Sequence, residues 1–347
     1  MMVFNGLVIA ISLAVSVLTV FGVIKFSAKH NLYDSVNERK IHKGQVSRLG
    51  GIGFALPFIL AGLFVFFSPF KNEIVNTGDL FFWSLFAGSA IIYFSGITDD
   101  LLELNAWVKL GLQICAALVS IVLLVLGGGT RNVIMLFLSF CFILGSINSY
   151  NLIDGSDLLC SSLSIYTVFA FGLMLKSTNE VYFTVCLALC AGLAGFMFFN
   201  RPDAKIFMGD GGSQFLGAVI AVLCLILLSV TEKGMISHLI CLNLVSIPVF
   251  DCLAAIWRRL RTHVGIFTAD RFHMHHKLLS MGFTKGKIAL LVNLIQIVIS
   301  ACAVFSWFWQ DKNYILSLIV QFVVLLGVVV YFTVLHFKAH KANPEVK

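Results

Sequence analysis

Apolar residues along this chain fall into long blocks separated by short polar breaks. Runs of roughly 17–25 mostly apolar residues recur from one end to the other, the length that crosses about 30 Å of hydrocarbon as a helix. Inside a bilayer every backbone polar group needs an internal partner, so each run predicts an α-helix. Eleven spans follow, at approximately 3–26, 49–69, 79–98, 106–127, 131–148, 158–176, 181–199, 214–231, 235–256, 287–309 and 314–337. No Pro/Gly/Ser-rich linker, low-complexity segment or internal repeat divides them. The fold expected is all-α: a polytopic integral membrane protein of about eleven transmembrane helices, built as one domain over residues 1–347.

Composition removes the soluble alternative. Hydrophobic residues make up 59% of the chain and charged residues only 12%, against roughly 45–50% and about 25% in ordinary globular domains. The first span does not read as a cleaved signal peptide. No basic residue precedes it, it is too long, and no small-residue cleavage site follows before Lys25.

Basic residues set the orientation, because cytoplasmic loops collect Lys and Arg. Alternate loops hold one each: Lys71, Arg131, Lys176, Lys233 and Lys312. The other set, with the C-terminal tail, holds the remaining 19 of the 24. The N-terminus is therefore expected outside (periplasmic) and the C-terminus in the cytoplasm. The net charge of +7 is mostly this topology signal, and no nucleic-acid partner is expected. Nine scattered cysteines without a Cys-x-x-Cys pair read as small apolar side chains in helices.

Five cytoplasmic segments carry nearly all the reactive side chains: 27–51, 97–109, 148–158, 200–213 and 257–286. In the first, Arg48 precedes Gly50 and Gly51 where a helix opens, and N–H groups at such a helix start suit phosphate. In the second, Asp99 and Asp100 end a span and Lys109 begins the next; adjacent carboxylates need a cation or a proton between them. In the third, Asn148, Asn151 and Asp154 fall near one helical face if the span continues, with Asp157 beyond. Those oxygens are what a hard cation takes. In the fourth, Asp210 stands between glycines before an apolar run, placed to hold a metal beside a wrapped phosphate. In the fifth, Arg271, His273, His275 and His276 suit a pyrophosphate better than zinc, whose ligands must converge.

Each segment alone also reads as a plain loop or cap. All five, however, fall on one side of the membrane under a topology derived independently from Lys and Arg. Together they supply acids and amides for a divalent cation, cations for phosphates, and glycine turns for close approach. That inventory fits phosphoryl transfer. A transporter is the competing class, yet transporters place their polar groups near the bilayer midplane, often in repeated halves, and here they gather at span ends.

The ordered motifs Gly96-Ile-Thr-Asp99-Asp100, Asn148-x-x-Asn151-Leu-Ile-Asp154-Gly-x-Asp157, Met208-Gly-Asp210-Gly-Gly-Ser213 and His273-Met-His275-His276 resemble the polyprenyl-phosphate N-acetylhexosamine-1-phosphate transferases of glycosyltransferase family 4, the WecA/TagO/MraY superfamily. The GlcNAc-1-phosphate branch is the most similar. Three positions differ from the family pattern: Leu158 replaces a glycine, Ala269 a proline and Met274 an isoleucine.

The resemblance implies that a UDP-N-acetylhexosamine, UDP-GlcNAc before UDP-GalNAc, UDP-FucNAc or a MurNAc-pentapeptide donor, gives its sugar 1-phosphate to undecaprenyl phosphate. UMP is released, and the lipid-linked sugar starts cell-envelope polysaccharide synthesis. It implies Mg²⁺, with Mn²⁺ as a substitute, held by Asn151 and Asp210. Asp99, Asp100 and Lys109 would serve the lipid phosphate, with Asp154 and Asp157 around the metal or the donor sugar. Arg48, Gly50, Gly51, Asn148, Arg271, His273, His275 and His276 would bind substrate. Membrane lipid surrounds such a protein, and a homodimer is compatible with it.

Overall fold

The computed structural model describes residues 2–33, 46–68, 79–230, 234–265 and 272–342. These residues form α1 (Met2–His30), a 3-10 turn (Leu49–Gly51) running into α2 (Ile52–Phe67), α3 (Asp79–Leu102), α4 (Ala106–Leu126), α5 (Val133–Ile153), α6 (Leu159–Lys176) and α7 (Glu180–Asn200). There follow α8 (Gly209–Val230), α9 (Gly234–Leu244), α10 (Ser246–Arg261), the short α11 (Met274–Ser280), α12 (Lys285–Trp309) and α13 (Tyr314–Ala342). Among the described residues ten helices are long and apolar enough to cross a membrane, and α9 with α10, bent by 70°, passes the same test as a pair. The chain is a multi-pass, all-helical membrane protein. Its helices start where local chemistry lets them: Asn105, Asn132 and Asn179 each accept a hydrogen bond from an N–H of the first turn.

The sequence anticipates the number of spans but not the bend of the ninth or the reach of several ends. The ninth span, read as one straight helix over 235–256, is broken at Val245. Pro248 explains the break, because it has no N–H to offer the carbonyl of Leu244 four residues back. That freed carbonyl accepts instead from Gln296 Nε2 at 3.1 Å and Thr167 Oγ1 at 3.3 Å. Neighbouring helices thereby supply what the broken ladder lost. Three ends that carry polar motifs reach further than expected: α3 continues through Asp99 and Asp100, α5 through Asn151, and α8 starts at Gly209. Most of the acids and amides expected in loops therefore sit on helix ends.

Helix α8 is the axis of the bundle. Every residue from Gly211 to Leu227 is buried, as expected of a helix apolar on all sides. Around it pack α2, α3, α5 and α6, while α1 and α13 show most of their surface outward. Phe54, Phe58, Phe86, Phe196 and Phe215 interlock edge-on and stacked between α2, α3, α7 and α8, so this part of the abundant phenylalanine is packing. Near its start α8 meets α3 closely enough that a side chain on Gly96 would lie 2.4 Å from Gly211 Cα. This contact brings the acids of α3 onto the first turn of α8.

Candidate active site

The first turn of α8 is held from outside its own helix. Gly209 adopts φ +72°, and the following N–H groups of Asp210 and Gly211 donate to Asp100 Oδ1 and Oδ2, each at 2.9 Å. A carboxylate from α3 thus caps α8, satisfying two free donors with a charge that the helix dipole favours. Arg48 brings its positive charge to Asp100, Asp154 and Asp210. The chain from Ser47 to Gly51 lies along residues 206–208. Gly50 N donates to Phe207 O at 2.9 Å and Gly51 N to Met208 O at 3.0 Å. This corrects the expectation that these two N–H groups receive phosphate. The glycines are needed because a Cβ would fall 2.5 Å from Phe207 O or 2.6 Å from Gly212 Cα.

Beside this cap lies an ion triad. The Lys109 ammonium pairs with Asp99 Oδ2 and stands 3.5 Å from Asp210 Oδ2. Asp99 Oδ1 accepts from Leu104 N at 2.8 Å, which fixes the α3–α4 turn. Asp210 Oδ2 also accepts from Gln214 Nε2 at 3.0 Å and from Asn151 Nδ2 at 3.5 Å. Ser213 Oγ donates to Asn151 Oδ1 at 3.0 Å. A row of amides continues outward: Gln113 Nε2 donates to Gln214 Oε1 at 3.1 Å, and Asn148 Nδ2 to Gln113 Oε1 at 3.0 Å. Asn148 is thus tied to α4 as well as placed at the rim.

The third segment turns sharply after α5. Leu158 sits at φ +66° where the family pattern has glycine, so the left-handed turn survives without that residue. Its N–H donates to Asn200 Oδ1 at 3.0 Å, and its carbonyl accepts from Ser162 N at 2.9 Å. Asp157, expected near the metal or the sugar, is buried in an ion pair with Lys285 Nζ at 2.8 Å. Its charge therefore anchors the start of α12. Asp154 faces the basin. Burial first, then the charges of Asp210, Asp100 and Asp157, holds its carboxyl well above the usual carboxylate range.

The histidine motif closes the same side, since the ring of His275 lies where a Cβ on Gly155 would be, 2.4 Å away. His273 Nδ1 pairs with Asp251 Oδ2 at 2.8 Å. The His273 and His275 rings stack at 6.0 Å, and His276 packs 4.2 Å from His275. His275 departs from the expected grip on phosphate. It is 1% exposed, neither ring nitrogen has a partner among the described residues, and burial pushes its pKa down to about 3. A neutral ring offers one donor and one acceptor, not a positive charge.

The sign of its effect on stability follows. An unfolded histidine binds its proton near pH 6.5 while the folded one does not, so stability is lost as pH falls below about 6.5. Between pH 7 and 5 that loss is roughly 2 kcal/mol. Thermal unfolding of His275→Gln in detergent should fall less steeply over this interval than wild type, and an identical slope would contradict the assignment.

Arg271 lies outside the described residues, as do Ala269 and parts of the segments 27–51 and 257–286. All the other expected positions gather at one end of the bundle. The motifs leave out Gln113, Gln214, Asp251 and Lys285. Gln113 and Gln214 are visible as polar residues four places after Lys109 and Asp210, on the same helical faces; Asp251 and Lys285 carry no local signal. A cavity of about 330 Å³ lies at the opposite ends of α4, α5 and α8, lined by residues such as Leu124, Met135 and Leu228. It shares no residue with this basin.

Four carboxylates, Asp99, Asp100, Asp154 and Asp210, thus share one basin with Lys109 and Arg48. Among the described residues no three His, Cys, Asp or Glu side chains form a ready metal set. An oxygen-only donor set with few protein ligands still suits a hard cation that completes its shell from phosphate and water, as Mg²⁺ does.

Residues 82–228 match the family described as glycosyl transferase family 4. The chain is 30% identical to a probable undecaprenyl-phosphate N-acetylglucosaminyl 1-phosphate transferase of Bacillus subtilis (strain 168), over 98% of this chain and 95% of the relative. It is 28% identical to the undecaprenyl-phosphate alpha-N-acetylglucosaminyl 1-phosphate transferase of Escherichia coli (strain K12), covering 81% and 78%. Similarity to the decaprenyl-phosphate N-acetylglucosaminephosphotransferase of Mycobacterium leprae (strain TN) is 26%, covering 87% and 84%.

Proposed function

The chain belongs to glycosyl transferase family 4, and on that premise we propose that it transfers GlcNAc 1-phosphate from UDP-GlcNAc to undecaprenyl phosphate at the bundle end built around Asp210. The observation that carries this reading is the Asp99–Lys109–Asp210 triad at the start of a glycine-opened helix, with Asn151 beside it. Anion-binding and cation-binding groups meet there within one basin. The skew of Lys and Arg supports a cytoplasmic position for that end, where UDP-sugars are made, in a bacterial inner membrane.

The reaction is a direct displacement. An oxygen of the lipid phosphate attacks the β-phosphorus bearing the sugar, the bond from that phosphorus to the bridging oxygen breaks, and UMP leaves. A phosphate monoester with a second pKa near 6 is already mostly dianionic, so the main obstacle is bringing two anions together. Lys109 pairs with the lipid phosphate once it releases its hold on Asp210. Asp99 orients that ammonium, and Asp100 keeps the first turn of α8 in place. Arg48, His273 and His276 face the donor's diphosphate, while neutral His275 offers a hydrogen bond to an uncharged group. Asp210 and Asn151 would hold Mg²⁺, which when bound shields charge on the pyrophosphate.

The outward faces of α4 and α5 give the isoprenoid an apolar track from this basin. Gly111 and Gly145 have open space where a side chain would be, and Leu118, Val122 and Leu138 are exposed beyond them.

Losing a charged hydrogen bond to an anion costs about 1.5–3 kcal/mol, or roughly 10–100-fold. Lys109→Gln should therefore lower kcat/KM for the lipid acceptor by that factor and alter KM for UDP-GlcNAc little; an unchanged lipid KM and kcat would remove Lys109 from the acceptor site. The reaction is tested by UMP release from purified protein given undecaprenyl phosphate and a panel of UDP-N-acetylhexosamines, with Mg²⁺ or EDTA. UDP-GlcNAc should be the best donor and EDTA should stop release. Release from every donor without lipid would overturn the reading.

A further inference from the structure

We infer that Asp251 is the positioning residue of the histidine motif: it fixes the ring of His273 so that Nε2 is the atom presented to the donor's diphosphate. The inference rests on the transfer reaction proposed above, and it concerns a residue with no place in the motifs that define the site.

Asp251 lies on α10, the second half of the broken span, and is 2% exposed. A buried carboxylate in an apolar segment is costly unless it is paired. Both its oxygens are engaged with one short stretch of chain. Oδ2 faces His273 Nδ1 at 2.8 Å, and Oδ1 accepts from the Met274 N–H at 2.7 Å. The same carboxylate therefore sets the ring and the backbone behind it, where α11 begins. Its partner residues lie 22 and 23 positions away, across the segment 266–271.

The consequence for the ring is a choice of tautomer. A carboxylate can only accept, so Nδ1 must carry a hydrogen, and Nε2 becomes the nitrogen left for a ligand. To donate to a phosphoryl oxygen Nε2 must carry a hydrogen as well, and the carboxylate then lies against the ring's positive charge. A carboxylate holding an imidazole by the far nitrogen is a recurrent way of orienting such a ring. The bend of 70° between α9 and α10 lies six residues before Asp251, on the same α10.

The test is a mutant cycle read in separate parameters. Asp251→Asn should raise KM for UDP-GlcNAc about tenfold while kcat and the KM for undecaprenyl phosphate move less than threefold. His273→Ala should show at least the same loss, and Asp251→Asn should cost nothing further in that background. Rescue towards wild-type KM is expected from Asp251→Glu. Equal penalties from Asp251→Asn with and without His273 would overturn the inference, as would a loss confined to kcat. A readout independent of turnover is the ¹⁵N spectrum of histidine-labelled protein in detergent, with the His273 signal identified by its absence in His273→Ala. Its Nδ1 should be protonated in wild type, and a neutral ring protonated only at Nε2 would sink the proposal. If wild-type protein shows the expected tautomer but releases no UMP, the reaction assignment fails and the positioning by Asp251 stands.

Discussion

Asp210→Asn is expected to abolish turnover, lowering kcat by about 10³-fold or more, the scale seen when a group that stabilises transition-state charge is removed. The substitution keeps the shape of the side chain and its ability to accept from Gln214 Nε2. It removes the negative charge that faces Lys109 at 3.5 Å and that would hold Mg²⁺ with Asn151. Stability should barely change, because one of four neighbouring carboxylates is being neutralised and mutual repulsion falls as the pairing with Lys109 is lost. Single-turnover UMP release together with thermal unfolding separates these effects. Recovery of activity to within tenfold of wild type, in folded protein, would falsify the assignment of Asp210.

The second large effect comes from a residue without a functional group. Gly209 holds φ +72°, a conformation that costs an L-residue roughly 1–2 kcal/mol. A Cβ there would also lie 2.0 Å from Arg48 O and 2.4 Å from Asp100 Oδ2. Neither can move freely, since Asp100 is pinned by the N–H groups of Asp210 and Gly211. Gly209→Ala should therefore cost about 3 kcal/mol or more in stability. It should also reduce activity more than Asp100→Asn, which weakens the cap but leaves the turn. Unfolding midpoints in detergent and specific activity for the two variants decide the matter. A Gly209→Ala protein with wild-type stability would mean that the turn is not constrained as described.

Much of this was written in the chain before any coordinates. Apolar block length announces eleven helices because the bilayer fixes that length for every span, and the skew of Lys and Arg puts all the polar segments on one face. Adjacent Asp99 and Asp100 look like one feature in sequence, yet they do different work: one oxygen set closes on Lys109 and Leu104, the other caps α8. Successive residues on a helix point about 100° apart, so the pair had to separate once α3 continued through it.

What stayed illegible depends on contacts far apart in sequence. Asp157 carries the same kind of side chain as Asp154, and only the approach of Lys285 makes it an anchor. His275 looks like its neighbours in the motif, and only its burial against Gly155 leaves it neutral. Gly50 and Gly51 resemble a phosphate loop until the carbonyls of Phe207 and Met208 are seen to occupy their N–H groups. Leu158 shows the converse, a left-handed turn kept by its surroundings without the residue that would signal it.

The most direct test of the central claim is to identify the product on the lipid. Purified protein with UDP-GlcNAc, undecaprenyl phosphate and Mg²⁺ should convert the acceptor to a species heavier by one GlcNAc phosphate, resolved by mass spectrometry. One UMP should form for each lipid converted, and neither should form with Asp210→Asn. UMP without a modified lipid, or a modified lipid that Asp210→Asn makes equally well, would contradict the account.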